Sequence, residues 1–196
     1  MIVPATGPAA NRSPPGSDGR LVAFLRAINV GGHTVKMDRL RALFEDMGFS
    51  DVATFIASGN VIFGAEDEGP ALEARIERAL FEALGYDVAT FIRPLAFLAE
   101  IAAAPPFGNA GTTNGGTLYV GFLKTAAKPA ARAALSKLRT DTDDFVLHDR
   151  ELYWLCRTRF SDSPVSGALL EKSLAAPLTL RNAKTLDRII NKFAAV

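Results

Sequence analysis

Between Leu21 and Phe193 one order of segments runs twice: an apolar strand, a helix, a strand pair about a short turn, a second helix, a strand and a closing helix. Each copy must bury its own apolar faces, so this repeat limits the possible folds more than composition does. The first copy opens on Leu21-Val-Ala-Phe-Leu-Arg-Ala-Ile28, a nearly unbroken apolar run suited to a strand covered on both faces. After a Gly31-Gly32 turn, Met37, Leu40, Phe44 and Met47 recur at helical spacing up to Gly48, where a left-handed cap ends the helix. Val52–Ala57 and Val61–Phe63 read as strands about Ser58-Gly59-Asn60. Gly69-Pro70 opens a helix striped by Leu72, Ile76, Leu80 and Leu84 and stopped by Gly85. Val88–Ile92 follows as a strand and Pro94–Ala103 as a helix.

The second copy predicts a strand over Thr117–Leu123, a helix over Pro129–Arg139, and strands Phe145–His148 and Leu152–Cys156 about Asp149-Arg150. A helix from Ser163-Pro164 to Leu174, a strand over Leu178–Leu180 and a helix striped by Leu186, Ile189, Ile190 and Phe193 complete it. The fold class is α+β: two tandem ferredoxin-like (βαββαβ) plaits with additional C-terminal helices. Residues 1–19, rich in Pro and Gly without a hydrophobic period, are expected to be a flexible tail. Residues 20–107 and 117–196 form the two subdomains, joined by a linker over 108–116. The first and third strands of such a plait are taken to run parallel, which separates Gly31-Gly32 from Ser58–Asn60 and gives them no common pocket. The sheet faces are expected to be buried by the other plait or by the helices at 94–103 and 184–193, unlike the open aromatic sheet of an RNA-binding plait.

With 196 residues, 48% of them apolar, the chain has material for a substantial core. It holds no apolar run of the roughly 20 residues that a bilayer span needs, and its start lacks a secretory leader, so a cytoplasmic location without a membrane partner is expected. Cys156 is the only cysteine, which excludes an intrachain disulfide and a Cys-based zinc cluster. The two histidines have no ligand spacing, and neither metal nor cofactor is expected. Net charge is +1, against bulk-charge binding of nucleic acid. The halves differ: residues 1–108 carry 9 basic and 13 acidic side chains, the remainder 13 basic and 8 acidic. That second half is the first place to look for an anionic ligand or partner.

Three segments carry chemistry. Arg26-Ala-Ile-Asn29-Val-Gly31-Gly32 leaves a strand for a helix, where backbone N–H groups cradle anions, with Arg26 and Lys36 as counter-charges; the bland reading is a glycine turn and nothing more. Ser58 and Asn60 flank a glycine of hairpin-turn composition, which is sufficient reason for them. Arg157, Arg159 and Ser163 precede a helix start and make the best-motivated anion site, with Ser163 as an ordinary N-cap the alternative. Arg181 adds a further guanidinium from the last strand. His33 is the one candidate general acid or base, and Cys156 reads as a buried small apolar residue.

Together Leu25-Arg-Ala-Ile-Asn-Val-Gly-Gly32, Ile56-Ala-Ser-Gly-Asn-Val61, Pro106-Phe107, Gly167-Ala-Leu-Leu-Glu-Lys172 and Arg181-Asn182 resemble the bacterial domain-of-unknown-function family 1697 over about residues 20–194. The resemblance implies paired ferredoxin-like subdomains and no established activity. Its pattern is broken at Ala27, Pro105, Pro164 and Ala183 and carries over to Arg26, Asn29, Gly31, Gly32, Ser58, Asn60, Arg181 and Asn182. The sequence therefore favours a binding module for a small anionic, nucleotide-like ligand. The alternatives are an enzyme acting on a phosphorylated or carboxylate substrate through His33, and nucleic-acid binding through the basic half.

Overall fold

The computed structural model describes residues 19–26, 28–29, 32–67, 69–108 and 116–194. Residues 1–18 of the expected 1–19 tail, Gly31, Ala27 and most of the linker lie outside the described residues. The fold is mixed α and β, with two four-stranded antiparallel sheets and six helices among the described residues. Contacts divide it into a first unit, residues 19–99 with 188–194, and a second, residues 100–187.

The first unit contains β1 (Arg20–Leu25), α1 (Met37–Asp46), β2 (Ser50–Phe55), β3 (Asn60–Gly64), α2 (Pro70–Leu84) and β4 (Thr90–Pro94), and α3 (Leu95–Ala103) follows at once. The sheet order is β2-β3-β1-β4. Leu21, Ala23 and Leu25 alternate onto the helix side, where Val61, Phe63 and Ile92 meet the stripes Leu40, Leu43, Phe44 and Leu72, Ile76, Leu80. Each buried Leu, Val, Ile or Phe among them contributes about 1.5–3 kcal/mol. The opposite face is equally dry: Val22, Phe24, Ile62 and Phe91 are all buried. Gly48 (φ +87°) and Gly85 (φ +79°) end the two helices in the left-handed region, as their positions predict.

One expectation is overturned. β1 and β3 are neighbours and antiparallel, with Phe24 opposite Asn60, so the end of β1 and the start of β3 lie at the same end of the sheet. The pairing sets this: β1 lies between β3 and β4, and every pairing in the sheet is antiparallel. Gly59 seals the junction. Its φ is +75°, its carbonyl accepts from the Leu25 amide (2.8 Å), and an added Cβ would lie 2.5 Å from Ile28 Cγ2.

The second unit repeats the plan with β5 (Thr117–Leu123), α4 (Pro129–Ser136), β6 (Asp143–His148), β7 (Glu151–Cys156), α5 (Gly167–Leu174) and β8 (Leu178–Asn182), followed by α6 (Ala183–Phe193). Its order, β6-β7-β5-β8, is that of the first sheet. Trp154 and Cys156 pack under α4 and α5, and Gly121 leaves room for Leu178 and Leu180. Asp143, fully buried, accepts from Trp154 Nε1 and Ser163 Oγ (both 2.8 Å) on one oxygen and from Thr140 and Thr142 hydroxyls (3.0 and 2.8 Å) on the other. This network corrects the expected helix start. Ser163 serves the buried carboxylate, residues Phe160–Asp162 form a 3₁₀ turn, and α5 begins after Ser166, whose hydroxyl accepts from the Leu169 amide.

Two stability measurements follow from these contacts. Gly59→Ala combines a left-handed φ with a collision and should lower the urea unfolding free energy by about 2–4 kcal/mol. Gly32→Ala, at φ +88° but with open space around its Cβ position, should cost only about 1 kcal/mol. Equal losses would show that Gly59 is not packed as described. For Asp143, burial alone would raise the carboxyl pKa, and the hydrogen bonds from Thr142, Ser163, Trp154 and Thr140 outweigh it, leaving the pKa below its ordinary value. Its stabilising contribution is therefore complete above the unfolded carboxylate pKa of about 3.9 and is lost as pH falls through the lower folded value. Asp143→Ala strands the Trp154 donor, should cost about 1–3 kcal/mol, and should flatten this acid dependence. Fluorescence of Trp154, the only tryptophan, reads it directly.

Candidate functional site

The antiparallel β1–β3 pairing brings three connections to one end of the first sheet: the β1–α1 loop, the β2–β3 hairpin and the α2–β4 loop. Asn29 joins the first two. Its Nδ2 donates to the Ala57 carbonyl (2.9 Å) and its Oδ1 accepts from the Val35 amide (2.6 Å), fixing both ends of the loop. The Arg26 amide donates to the Ala89 carbonyl (2.8 Å), which ties in the third connection. Tyr86 closes the cluster from that side: its hydroxyl donates to the Ile28 carbonyl (3.2 Å) and its ring stacks on His33 at 3.8 Å between centroids. Burial raises the Tyr86 pKa, so the phenol stays a donor.

Most of the residues anticipated around the glycine loop therefore lie at one end of the first sheet. The Arg26, Gly32, His33, Lys36 and Ser58 positions are exposed around this end. Asn60 is buried beneath them and donates to the Phe55 carbonyl (2.9 Å) and to Ser58 Oγ (3.0 Å), so it holds the hairpin and does not face solvent. Gly31 lies outside the described residues. Lys36 precedes α1, and among the described residues no side chain caps that helix. Asp38, in its first turn, leans towards Arg41 (3.9 Å). Tyr86 was not anticipated; a lone tyrosine after a helix-ending glycine carries no signal until the topology is known.

The basic positions of the second unit are less convergent. Arg157 and Arg159 are exposed near the 3₁₀ turn, where Ser163 is already engaged by Asp143. Arg181 is buried; its Nη1 donates to Thr179 Oγ1 (2.8 Å) and the Leu180 carbonyl (2.9 Å), and burial pulls its pKa down to about 10. Asn182 Oδ1 accepts from the Lys184 amide (2.9 Å) at the start of α6. Cys156 is buried beside Asp143, its Sγ donating to the Thr158 carbonyl (3.3 Å). Burial, with the Asp143 charge adding to it, raises the thiol pKa and keeps a nucleophilic thiolate away.

A cavity of about 500 Å³ lies at the other end of the first sheet and contains none of the anticipated residues. Arg20 and Arg75 line it, but so do Asp51, Glu66 and Asp67, which removes any anionic preference. Among the described residues no group of three His, Cys, Asp or Glu side chains could hold a metal ion, and no helix is long and apolar enough to cross a membrane.

In fold, the chain resembles the solved structure of the conserved bacterial protein SP0830 from Streptococcus pneumoniae. The match has a TM-score of 0.70 at 21% identity and covers 90% of this chain and 98% of that one. No curated protein matches the chain. A family model described as Protein of unknown function (DUF1697) matches residues 19–153, more than half of the sequence, and the chain belongs to that family.

Proposed function

We propose that this protein is a cytoplasmic binding module for a small anionic, nucleotide-like ligand, held at the end of the first sheet between the β1–α1 loop and the β2–β3 hairpin. The observation that carries the reading is the antiparallel pairing of β1 and β3, with Asn29 bonding the loop to the hairpin at Ala57 and to itself at Val35. The two Asn29 bonds leave Asn29, Val35 and Ala57 with little ordering entropy left to lose. Arg26 and Lys36 supply positive charge, and the uncapped N–H groups at the start of α1 supply donors. The two copies are read as ferredoxin-like plaits, supported by the order βαββαβ and the pairing β2-β3-β1-β4 and β6-β7-β5-β8. An RNA platform is not supported, because Phe24 and Phe91 on the face away from the helices are buried.

A thermal-shift panel of nucleotides, inorganic polyphosphates and short carboxylates tests the reading. One member at a hundredfold its Kd adds about 2.7 kcal/mol of stability to the chain, and Arg26→Ala/Lys36→Ala should abolish that rise relative to its own unliganded baseline. A flat panel, or a shift indifferent to both residues, counts against this site. The enzyme alternative has one observation in its favour, the His33 ring held against Tyr86. Turnover of a phosphorylated or carboxylate substrate that survives His33→Ala would dismiss that acid or base.

A further inference from the structure

Four non-glycine residues among the described ones hold a positive φ: Asp51 (+50°), Ile56 (+51°), Asp149 (+44°) and Ala175 (+50°). Three of them have an ordinary reason. Ala175 is the left-handed cap of α5, Asp51 sits in the register shift of β2, and aspartate is among the few residues whose short polar side chain tolerates this region. Ile56 is the exception, because a β-branched side chain crowds the backbone there.

The second copy shows what the turn itself requires. Ile56 is the first residue after β2, and Asp149 is the first residue after β6, in the corresponding hairpin. Both turns start from the left-handed region, and the second copy meets that need with an exposed aspartate. Isoleucine in the same place costs more, and its side chain is not committed to the core: it is 39% exposed, one of three large apolar side chains exposed among the described residues. The backbone on either side of it is pinned. The Phe55 carbonyl accepts from Asn60 Nδ2 and the Ala57 carbonyl from Asn29 Nδ2, both at 2.9 Å. Strain of this kind persists only where the surroundings hold it, and here the bonds that hold it are those that build the candidate site. Gly59 and Asn60 are buried, so Ile56, Ala57 and Ser58 are left as the exposed tip of the hairpin.

We propose that Ile56 is a specificity-determining contact of the first-unit site, and that it receives the base of a nucleoside phosphate whose phosphate is held by Arg26 and Lys36. The proposal rests on the anion reading above and narrows it. An aliphatic side chain recognises only apolar surface, so it adds nothing to the binding of a polyphosphate or a phosphorylated sugar. A ligand that uses both Ile56 and the basic residues carries an apolar face and an anion on one small frame, and a nucleobase joined to phosphate has that form. Every base has such a face, so the contact selects nucleotides as a class.

Isothermal titration of wild type and Ile56→Asn with adenosine and uridine triphosphates, inorganic tripolyphosphate and hexanoate tests this. Wild type should bind the nucleotides about tenfold more tightly than tripolyphosphate. Ile56→Asn, which tolerates the left-handed turn, should remove that advantage and leave the tripolyphosphate affinity unchanged. Equal affinities in wild type, or a variant that keeps the nucleotide advantage, overturn the role of Ile56 while tripolyphosphate binding upholds the anion site. Loss of nucleotides and tripolyphosphate together in the variant overturns it too, because it marks Ile56 as a shaper of the turn. Hexanoate binding that needs Ile56, with nucleotides no better than tripolyphosphate, overturns the base as the occupant. No binding of any of these probes to wild type overturns the anion reading itself. Should Ile56→Asn not fold, Ile56→Gly, at ease in the same turn and without a side chain, is read by the same titrations with the same outcomes deciding.

Discussion

The antiparallel contact of β1 with β3 is the constraint on which the rest of the first unit depends. It sets the sheet order, decides which connections share an end, and makes Gly59 indispensable, because only a residue without a Cβ fits both its left-handed φ and the 2.5 Å approach of Ile28. The consequence is chemical as well as geometric. Arg26 and Asn29 leave one strand while Ser58 and Asn60 enter its neighbour, so residues some thirty apart in sequence become one cluster. A parallel arrangement of the same strands would have left the glycine loop with no hairpin beside it.

Sheet edges are the second constraint, and both units answer it by aiming side chains at main-chain groups. On the side of β4 away from β1, the amides of Thr90 and Ile92 donate to Glu77 and Glu73 of α2 (2.7 and 2.9 Å). In the second sheet Glu171 of α5 takes the Leu178 amide at the start of β8 (2.9 Å). β2 is instead broken by a register shift between Ser50 and Ala53, with Asp51 at φ +50°. On β6 the Asp143 amide donates to Thr140 Oγ1 (2.9 Å) and the Phe145 carbonyl accepts from Arg139 Nη2 (2.8 Å). A glutamate buried on the helix face, such as Glu73, thus completes a strand that the sheet leaves half bonded.

Element type and order were legible because they rest on local signals. Gly48 and Gly85 end helices where their sequence positions require, and the apolar run from Leu21 could only be a strand with both faces covered. Strand direction was not legible from such signals. Periodicity fixes which face a residue occupies but says nothing of which strand lies beside it, so the Gly32 and Ser58 motifs were separated in the reading and adjacent in the fold. The start of α5 was misread for a different reason. Ser163-Pro164 is a sound local capping signal, but Ser163 Oγ accepts from the Val165 amide (3.0 Å) while donating to the buried Asp143 carboxylate twenty residues away (2.8 Å), which holds Ser163 in a turn ahead of the helix and leaves the cap to Ser166. Asp143 itself was hidden because an acid among Thr140, Asp141, Thr142 and Asp144 looks like surface until Trp154 is seen to bond it.

The two units share their strand order and differ in what joins the strands, and the difference locates the proposed site. In the first, 11 residues, 26–36, connect β1 to α1, and four, 56–59, form the hairpin. In the second, the corresponding connections take five residues, 124–128, and two, Asp149 and Arg150. The shorter pair is closed by the Ala127 amide donating to the Asp149 carbonyl at 3.0 Å and by Arg150 Nη1 donating to the Lys124 carbonyl at 3.2 Å. The longer pair needs the Asn29 side chain to bridge loop and hairpin, and it carries the stacked His33 and the exposed Arg26 and Lys36 outward from that bridge. Lengthening a connection adds ordering entropy, and the bridge restrains it without contributing to the core. The longer connection also sends Ile28 and Val35 into the core, and the polar residues between and beside them are where the proposed ligand site is placed, in the first unit and not in its more basic counterpart.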